Sequence, residues 1–381
     1  MKKILIVFGT RPEAIKMAPL IKTLQEYPDI FELKVCITAQ HREMLDQVLE
    51  IFDITADYDL DIMKPNQDLY DITSQILLKL KDILKEFKPD LVLVHGDTTT
   101  TFSASLAAFY QKIDIAHVEA GLRTGEIYAP FPEEINRKLT ASLAKYHFAP
   151  TTTAKNNLLT EGIDKNNIIV TGNSVIDALF LMIKQIESNQ QLKSSIIHNL
   201  SKQLGFNPQS LNSKLILVTG HRRENFGQGL LDICSALKQI AINYPNIKII
   251  YPLHLNPNVY KPVNQILQDI DNIHLIQPLD YPEFIYLMEK SHIILTDSGG
   301  IQEEAPSLGK PVLVMRDTTE RPEALKAGTV KLVGTDTNRI YTSIKELLDN
   351  QQLYDKMTTA QNPYGDGHTC QKIVNFLKVT L

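Results

Sequence analysis

The stretch ILIVFGTRPEAIK, residues 4–16, has the local pattern that decides the fold. Ile4–Phe8 are five large apolar residues in a row, which predicts a strand buried on both faces. Gly9 allows a tight turn, and Pro12 suits the first turn of a helix. A strand without polar alternation, followed by a helix, is typical of a parallel sheet covered by helices. Arg11 falls near the predicted helix N-terminus, where an anion is favoured, although a plain turn with a surface arginine fits equally well.

The same alternation of strand and helix continues along the chain in two series, which predicts two α/β domains with parallel sheets. The series are separated by a seam near Thr171–Asp177 and by polar residues 185–213, which we expect to form exposed helix and loop. The tail Cys370–Leu381 is again helical in pattern. The predicted strands are Ile4–Phe8, Leu33–Thr38, Leu91–His95, Ile115–Glu119, His147–Ala149 and 168–172, then Leu215–Thr219, Ile247–Pro252, His274–Ile276, Ile293–Thr296, Val312–Met315 and Val330–Val333.

Composition excludes several classes of protein. The chain has 381 residues, of which 43% are hydrophobic and 22% charged, and its net charge is −5, so no basic surface for nucleic acid is expected. No apolar run approaches the ~18–20 residues of a membrane span, and the apolar run after Met1 is too short for a secretory signal. Three widely spaced cysteines give neither a disulfide framework nor zinc spacing. We therefore expect a cytoplasmic protein that binds neither nucleic acid nor membrane.

Candidate catalytic carboxylates follow two strands of the first series, at the edge where parallel sheets bind their ligands. Asp97 follows the third strand, although it could simply cap the next helix. Glu119 ends an apolar strand, where a carboxylate is costly to bury without a role or a partner, and Arg123 is one candidate partner. Glu133 and Glu134 open a predicted helix, where stabilisation by the helix dipole is the alternative explanation.

Strands of the second series are followed by residues suited to a phosphate. His221, Arg222 and Arg223 on one loop indicate anion recognition, with a solvated loop as the alternative. Residues 298–300, Ser-Gly-Gly, precede a helix and offer backbone N–H groups to a phosphate, and Glu304 is suited to bind a ribose diol.

The chain lacks the motifs of several other chemistries. It has no G-x-G-x-x-G, no P-loop, no G-x-S-x-G and no H-E-x-x-H. The sequence therefore gives no support to a dinucleotide-binding protein, a P-loop protein, a serine hydrolase or a zinc protease. A diphosphate cradle and three carboxylates suit a nucleotide sugar that undergoes acid–base chemistry. Sugar transfer and sugar isomerisation both fit this description.

Motifs along most of the chain resemble those of the bacterial non-hydrolysing UDP-N-acetylglucosamine 2-epimerases. The resemblance runs in order from about residue 4 to residue 367, with residues 185–213 lacking a signature. Gly220 stands where relatives often have Ala or Thr. The motifs are GTRPEAIKMAPL (9–20), TAQHREMLDQ (38–47), HGDTTTTF (95–102), EAGLRTG (119–125), PFPEEINR (130–137), HFAPT (147–151), VTGNSVIDAL (170–179), GHRREN (220–225), LHLNP (253–257), DSGGIQEEAPSLGKPVLV (297–314), RDTTERPEA (316–324) and NPYGDG (362–367).

This resemblance implies an architecture and an activity. It implies two Rossmann-like domains whose parallel sheets face a central cleft, as in glycosyltransferase-B folds, and a homodimer. The domains expected are residues 1–171 with 365–381, carrying the catalytic carboxylates, and residues 172–364, binding UDP. The implied reaction interconverts UDP-GlcNAc and UDP-ManNAc without cofactor or metal, by eliminating UDP to 2-acetamidoglucal and adding it back. Its product would supply surface polysaccharide such as capsule.

The resemblance also assigns roles to individual positions. The implied catalytic residues are Asp97, Glu119, Glu133 and His221. The implied UDP-binding residues are Arg11, Lys16, Phe284, Ser298, Gly299, Gly300, Glu304 and Arg321. An allosteric site for a second UDP-GlcNAc is implied at Gln40, His41, Arg222 and Glu224. A glycosyltransferase, a hydrolysing epimerase that releases free ManNAc, and a binding-only sensor are the alternatives.

Overall fold

The structure is a computed structural model that describes residues 1–39, 42–64, 66–220 and 222–381. Its strands are β1 (Lys2–Phe8), β2 (Phe31–Ile37), β3 (Tyr58–Asp59), β4 (Leu91–His95), β5 (Asp114–Val118), β6 (Tyr146–Ala149), β7 (Ile168–Val170), β8 (Leu215–Thr219), β9 (Lys248–Pro252), β10 (Ile273–Ile276), β11 (Ile293–Thr296), β12 (Val312–Val314) and β13 (Val330–Leu332). Its helices are α1 (Arg11–Gln25), α2 (Arg42–Ile51), α3 (Leu69–Phe87), α4 (Thr99–Tyr110), α5 (Glu133–Leu143), α6 (Thr152–Thr160), α7 (Ser174–Ser188), α8 (Gln190–Leu204), α9 (Gln228–Asn243), α10 (Pro257–Leu267), α11 (Tyr281–Lys290), α12 (Gly299–Glu304), α13 (Pro322–Ala327), α14 (Thr337–Asp349), α15 (Gln351–Thr358) and α16 (Thr369–Thr380).

The chain divides into two compact units. The first unit comprises Met1–Ala178 and Tyr364–Leu381, and the second comprises Leu179–Pro363. The final helix, α16, packs against α1 and so belongs to the first unit. Each unit has its own parallel sheet, which confirms the predicted α/β class with two parallel sheets. Among the helices described, none combines the length and apolar character needed to cross a bilayer.

The first unit is built on a seven-stranded sheet with the order β3-β2-β1-β4-β5-β6-β7. The strand pairs are parallel, with Ile6 opposite Val35 on one side and Leu93 on the other. Every residue of β4 is buried, as expected for a strand covered on both faces. The edge strand β3 was not predicted, because its two residues, Tyr58 and Asp59, belong to no apolar run.

The second unit contains a six-stranded parallel sheet with the order β10-β9-β8-β11-β12-β13. With β8 counted as the first strand, this is the doubly wound order 3-2-1-4-5-6 of dinucleotide-binding folds. Its core includes Val218 and Leu295 of the central strands, which pack with Leu237 of α9. The polar stretch 185–213 is less exposed than expected, because one face of α8, with Ile196, Leu200 and Leu204, is buried.

Both sheets have a point at which the winding direction reverses. In the first unit it lies between β1 and β4, and in the second unit between β8 and β11. Loops that follow neighbouring strands on either side of this point diverge and leave a crevice at the carboxyl edge, where ligands of such folds bind. The carboxyl edge of each sheet is therefore the place to look for a functional site.

Candidate active site

The loop after β1 lies close to its neighbours at the carboxyl edge of the first sheet. A Cβ atom at Gly9 would overlap the hydroxyl groups of Thr38 and Thr100, so only glycine fits between these segments. The helix that follows, α1, begins with a capping box in which the Thr10 and Glu13 side chains each accept a backbone N–H of the other residue. This arrangement fixes the first turns of α1, which carry two of the predicted UDP-binding residues.

The carboxylate of Glu13 also joins α1 to the loop after β4. It is buried and accepts hydrogen bonds from the hydroxyls of Thr98 at 2.7 Å and Thr101 at 3.1 Å. Burial raises the pKa of Glu13, while the hydroxyls of Thr98 and Thr10 and the amides of Gly9 and Thr10 lower it. Glu13 therefore ties the loops after β1 and β4 to each other, a role that the sequence analysis did not assign.

Glu119 follows β5 directly and is held by side chains from two other segments. Its Oε2 atom is in an ion pair with Lys16 and accepts a hydrogen bond from Nδ2 of Asn173 at 2.8 Å. Its backbone has φ of 62°, in the left-handed region that non-glycine residues rarely adopt and that is often associated with functional sites. The pairing with Lys16 stabilises the ionised form, so this position offers a fixed negative charge.

The ion pair between Glu119 and Arg123, which the sequence analysis gave as one explanation of Glu119, does not form. Nη2 of Arg123 lies 2.6 Å from Oε2 of Glu161 instead. Lys16, which the resemblance assigns to UDP, is the residue that pairs with Glu119. The partner in the structure thus comes from α1 rather than from the loop that follows β5.

Asp97 lies after β4 and faces a guanidinium. Nη2 of Arg137 is 2.8 Å from Oδ2 of Asp97. Burial raises the pKa of Asp97 to about 6, an increase that Arg137 opposes and that the negative charge of Glu119 supports. Asp97 is not the cap of α4, because the Oγ1 atom of Thr98 accepts the cap hydrogen bond from the amide of Thr101 at 3.1 Å. A carboxyl that titrates near neutral pH is suited to give and take protons.

Glu133 and Glu134 begin α5 but have different environments. Glu134 is fully buried and accepts hydrogen bonds from the amides of Thr124 at 3.0 Å and Gly125 at 3.2 Å. It therefore stabilises the loop before α5. Glu133 is half-buried, and its charge raises the pKa of Asp97. Glu133 is thus electrostatically coupled to Asp97.

The second sheet presents the Ser-Gly-Gly sequence at the start of α12. Ser298 is the N-cap residue, and its amide donates to Oγ1 of Thr296 at 3.0 Å. A Cβ atom at Gly299 would lie 3.9 Å from Nη2 of Arg321, which places that guanidinium beside the first turn. A Cβ atom at Gly300 would lie 3.9 Å from Oε2 of Glu304. Five of the predicted UDP-binding residues thus lie on or beside α12.

The guanidinium of Arg321 is also in an ion pair with Glu303. Its backbone is fixed as well, because its amide donates to Oγ1 of Thr319 at 3.1 Å. These two contacts hold the Arg321 side chain and backbone in place.

Phe284, the residue predicted to contact uracil, is half-buried on α11, which precedes β11.

The loop after β8 is anchored by Asp297 at the end of β11. Oδ2 of Asp297 accepts hydrogen bonds from the amide of Arg222 at 2.8 Å and from Nδ2 of Asn225 at 3.2 Å. Glu224 is in an ion pair with Arg316 at 2.6 Å. Three further predicted residues, His221, Gln40 and His41, lie outside the described residues.

Gly220 has less free space around its Cα atom than the Ala or Thr of many relatives would suggest. A Cβ atom there would lie 3.0 Å from the hydroxyl oxygen of Tyr251 and 3.2 Å from Cε of Met315. Such distances require the neighbouring side chains to move by a few tenths of an ångström. Glycine at this position therefore matches the packing of this particular chain.

Three residues near the carboxylates were not identified as site residues from the sequence. They are His95, Arg137 and Asn173. Asn173 comes shortly after β7, so the rule that polar residues after strands mark the site could have identified it. Arg137 lies on α5 one turn after Glu133, and its contact with Asp97 depends on tertiary packing that no local pattern indicates. Within the part of the chain that the structure describes, no group of three His, Cys, Asp or Glu residues could hold a metal ion.

Comparisons with known proteins show the family. The model of the family described as UDP-N-acetylglucosamine 2-epimerase matches residues 22–378. The UDP-N-acetylglucosamine 2-epimerase of Campylobacter jejuni is 60% identical over 376 residues, which cover 99% of this chain and 97% of that protein.

Solved structures agree with this result. The crystal structure of UDP-GlcNAc 2-epimerase from Neisseria meningitidis bound to UDP-GlcNAc has 57% identity and a TM-score of 0.87, covering 98% of this chain and 99% of that chain. The Methanocaldococcus jannaschii UDP-GlcNAc 2-epimerase in complex with UDP-GlcNAc and UDP has 34% identity and a TM-score of 0.78, covering 99% of each chain.

Proposed function

This chain belongs to the UDP-N-acetylglucosamine 2-epimerase family, and we propose that it reversibly converts UDP-GlcNAc to UDP-ManNAc without a cofactor. The observation that carries the proposal is the contrast between two neighbouring carboxylates. Glu119 is held by a lysine and an amide, whereas burial raises the pKa of Asp97 to about 6. Carboxylates in contrasting environments can take different roles in one reaction.

The chemistry of the substrate explains why more than one carboxylate is needed. The C2 proton of an N-acetylhexose is not acidic, because no carbonyl is attached to C2. We propose that the C1–O bond breaks, its electron pair leaves with UDP, and the C2 proton is removed, which gives 2-acetamidoglucal. Return of UDP to C1 and of a proton to the opposite face of C2 completes the epimerisation.

Each carboxylate has a proposed part in this sequence. Glu119 stabilises the positive charge that develops on the sugar as the C1–O bond breaks, since its pairing with Lys16 favours the ionised form. Asp97 and Glu133 exchange the C2 proton on the two faces of the sugar. The titration of Asp97 near pH 6 and the coupling between Asp97 and Glu133 support this assignment.

The second unit has the proposed role of holding UDP. The amides of residues 298–300 and the guanidinium of Arg321 are suited to a diphosphate, the carboxylate of Glu304 to a ribose diol and the ring of Phe284 to uracil. Arg11, Lys16 and His221 are proposed to help retain the diphosphate so that it can recombine with the glucal.

A time course by NMR in D₂O tests the reaction. UDP-GlcNAc should equilibrate with UDP-ManNAc, and deuterium should enter at C2. Release of free ManNAc with UDP would instead indicate a hydrolysing epimerase, and turnover only in the presence of an acceptor would indicate a glycosyltransferase. Retention of the original C2 proton through many turnovers would rule out the elimination mechanism.

We further propose a homodimer formed by the helices of the first unit. Helix α3 packs beside α4, and α4 beside α5, and all three carry exposed apolar side chains. Tyr70 is 85%, Leu78 67% and Tyr110 69% exposed, a row that a second copy of the chain could cover. Light scattering should show a dimer that Leu78→Glu weakens, while Ile242→Glu, at a residue 63% exposed on α9 of the second unit, serves as the matched control.

Three other proposals concern the cellular setting. Cys36, Cys234 and Cys370 are free and buried, which supports a reducing compartment such as the cytoplasm. The product is proposed to supply surface polysaccharide such as capsule, and a second UDP-GlcNAc is proposed to activate the enzyme at the site that includes Arg222 and Glu224. Sigmoidal dependence of the rate on UDP-GlcNAc concentration, reduced in Glu224→Gln, would support the activation.

A further inference from the structure

His95, the last residue of β4, is a buried side chain that the proposed mechanism does not use. The side chain is 4% exposed, and neither ring nitrogen has a hydrogen-bond partner among the described residues. Burial lowers the pKa of His95 to about 4, so the ring is neutral at physiological pH. A buried polar group without a partner destabilises the folded protein, so the position calls for an explanation.

The carboxylate of Glu119 is an acceptor close to this ring. Nε2 of His95 lies 3.7 Å from Oε2 of Glu119, the same oxygen that contacts Lys16 and Asn173. This distance is too long for a hydrogen bond, but a movement of under about 1 Å would form one. His95 thus approaches Glu119 from the sheet side, while Lys16 and Asn173 approach it from α1 and from the segment after β7.

The sheet fixes the relationship between the two residues. His95 lies opposite Val118 in the β4–β5 ladder, so Glu119 is the next residue along the partner strand. The amide of Gly96 donates to the carbonyl of Val118 at 2.9 Å, which extends the ladder by one residue. Nε2 of His117 is 2.6 Å from the carbonyl oxygen of Gly96 and so contacts the same turn. These contacts therefore fix the backbone between His95 and the turn beside Glu119.

We propose that His95 is a positioning residue that donates a hydrogen bond from Nε2 to Glu119 when substrate is bound. This proposal rests on the proposed role of Glu119 in the epimerisation. The hydrogen bond would hold the carboxylate in one orientation while the positive charge develops on the sugar. A neutral donor suits this role, because a cationic ring would cancel the negative charge that Glu119 supplies.

Other charged groups surround the pair and must be included in any test by pH. Lys16 and Asp97 both act on it electrostatically, and His117 lies on the adjacent strand. Since Lys16 remains in place in every variant below, a change confined to the His95 variants reports on the ring itself.

The test compares His95→Leu, which removes the donor, with His95→Gln, which keeps an N–H donor that cannot ionise. We expect His95→Leu to lower kcat by roughly 10–100-fold, the usual effect of losing a residue that orients a functional group, with little change in UDP affinity. His95→Gln should recover most of this loss. The control is His147→Leu, since His147 is equally buried on β6 and has no described contact with Glu119.

The pH profile separates positioning from a merely structural role. Because a hydrogen bond to a carboxylate favours its charged form, the acidic limb of kcat should move to higher pH in His95→Leu and not in His147→Leu. If His95→Leu fails to fold, His95→Asn replaces it, since the shorter amide cannot reach Glu119. Equal kcat values and equal acidic limbs in the His95 variants and the control would overturn the proposal. Absence of turnover in the unmodified enzyme would instead overturn the proposed function.

Discussion

Nη2 of Arg137 lies 2.8 Å from Oδ2 of Asp97, and Nη1 of the same guanidinium lies 3.6 Å from Oε2 of Glu134. One cation therefore serves two carboxylates with different tasks. Asp97 is 28% exposed and titrates near pH 6, whereas Glu134 is fully buried and holds the loop before α5. The stability of the loop and the proton affinity of the proposed catalytic group depend on the same side chain.

Replacing Arg137 should therefore affect both stability and the pH profile. Arg137→Gln leaves Glu134 with less compensating charge, and we expect a loss of roughly 3–5 kcal/mol, as found for broken buried ion pairs. Because the guanidinium lowers the pKa of Asp97, its removal should move the associated limb of the rate profile above pH 6. Urea denaturation and pH–rate profiles measure the two effects.

The matched control for this change is Arg42→Gln. Arg42 pairs with Asp59 at 2.6 Å, but the two side chains are 47% and 32% exposed, so solvent screening should leave the free energy of unfolding almost unchanged by this substitution. Equal destabilisation by both substitutions would show that the buried Arg137–Glu134 pair contributes no more to stability than an exposed ion pair.

The titration of Asp97 should be visible in stability as well as in rate. Burial raises its pKa from 3.8 to about 6, so the folded protein binds this proton more tightly than the unfolded chain does. The contribution of Asp97 to stability is therefore present below about pH 4 and is lost as the pH rises through about 6. Asp97→Asn does not titrate, so the difference in unfolding free energy between the two proteins should change over this interval and stay constant above about pH 7.

The rate should report the same ionisation. A limb near pH 6 in kcat/KM should be missing from the residual activity of Asp97→Asn, which we expect to be about 10²–10⁴-fold lower. A limb that persists unchanged in this variant would assign the ionisation to another group.

Asn173 offers a third test, because it contacts Glu119 through its amide nitrogen. In Asn173→Asp a second carboxylate replaces the donor that lies 2.8 Å from Oε2 of Glu119. The repulsion should lower kcat by at least about 10-fold and destabilise the protein increasingly as the pH rises through the range of carboxyl titration. The control is Asn166→Asp, at an exposed residue of the same unit. Similar kcat values for the two variants would remove Asn173 from the site.

These contacts also indicate what the sequence could and could not predict. Strands such as Leu91–His95 and Leu215–Thr219 were predicted with their observed bounds, because an apolar run is a local signal of burial. The position of Asp97 after Leu91–His95, and of Glu119 at the end of the next strand, is the local signal on which their prediction as site residues rests. The partner of Glu119 was not predictable in the same way, because Lys16 is 103 residues away and reaches it only through the order of the strands.

The last prediction separates two adjacent residues of α5. Glu133→Gln should lower kcat by about 10²–10⁴-fold with an unchanged midpoint of unfolding, since Glu133 is half-buried and coupled to Asp97. Glu134→Gln should instead affect the free energy of unfolding more than kcat. It weakens the hydrogen bonds from the amides of Thr124 and Gly125 and the attraction of Arg137, so the main effect should be a loss of about 1–3 kcal/mol of stability.

Measuring kcat and the urea midpoint for both variants provides each with its own control, because they share a helix turn and a chemical change. The contrast follows from burial and hydrogen bonding alone, since the two side chains have the same charge and the same helix dipole. If Glu134→Gln lost the greater part of kcat while Glu133→Gln kept it, the proton-exchange role would have to move from Glu133 to its neighbour, and the loop before α5 would need another anchor.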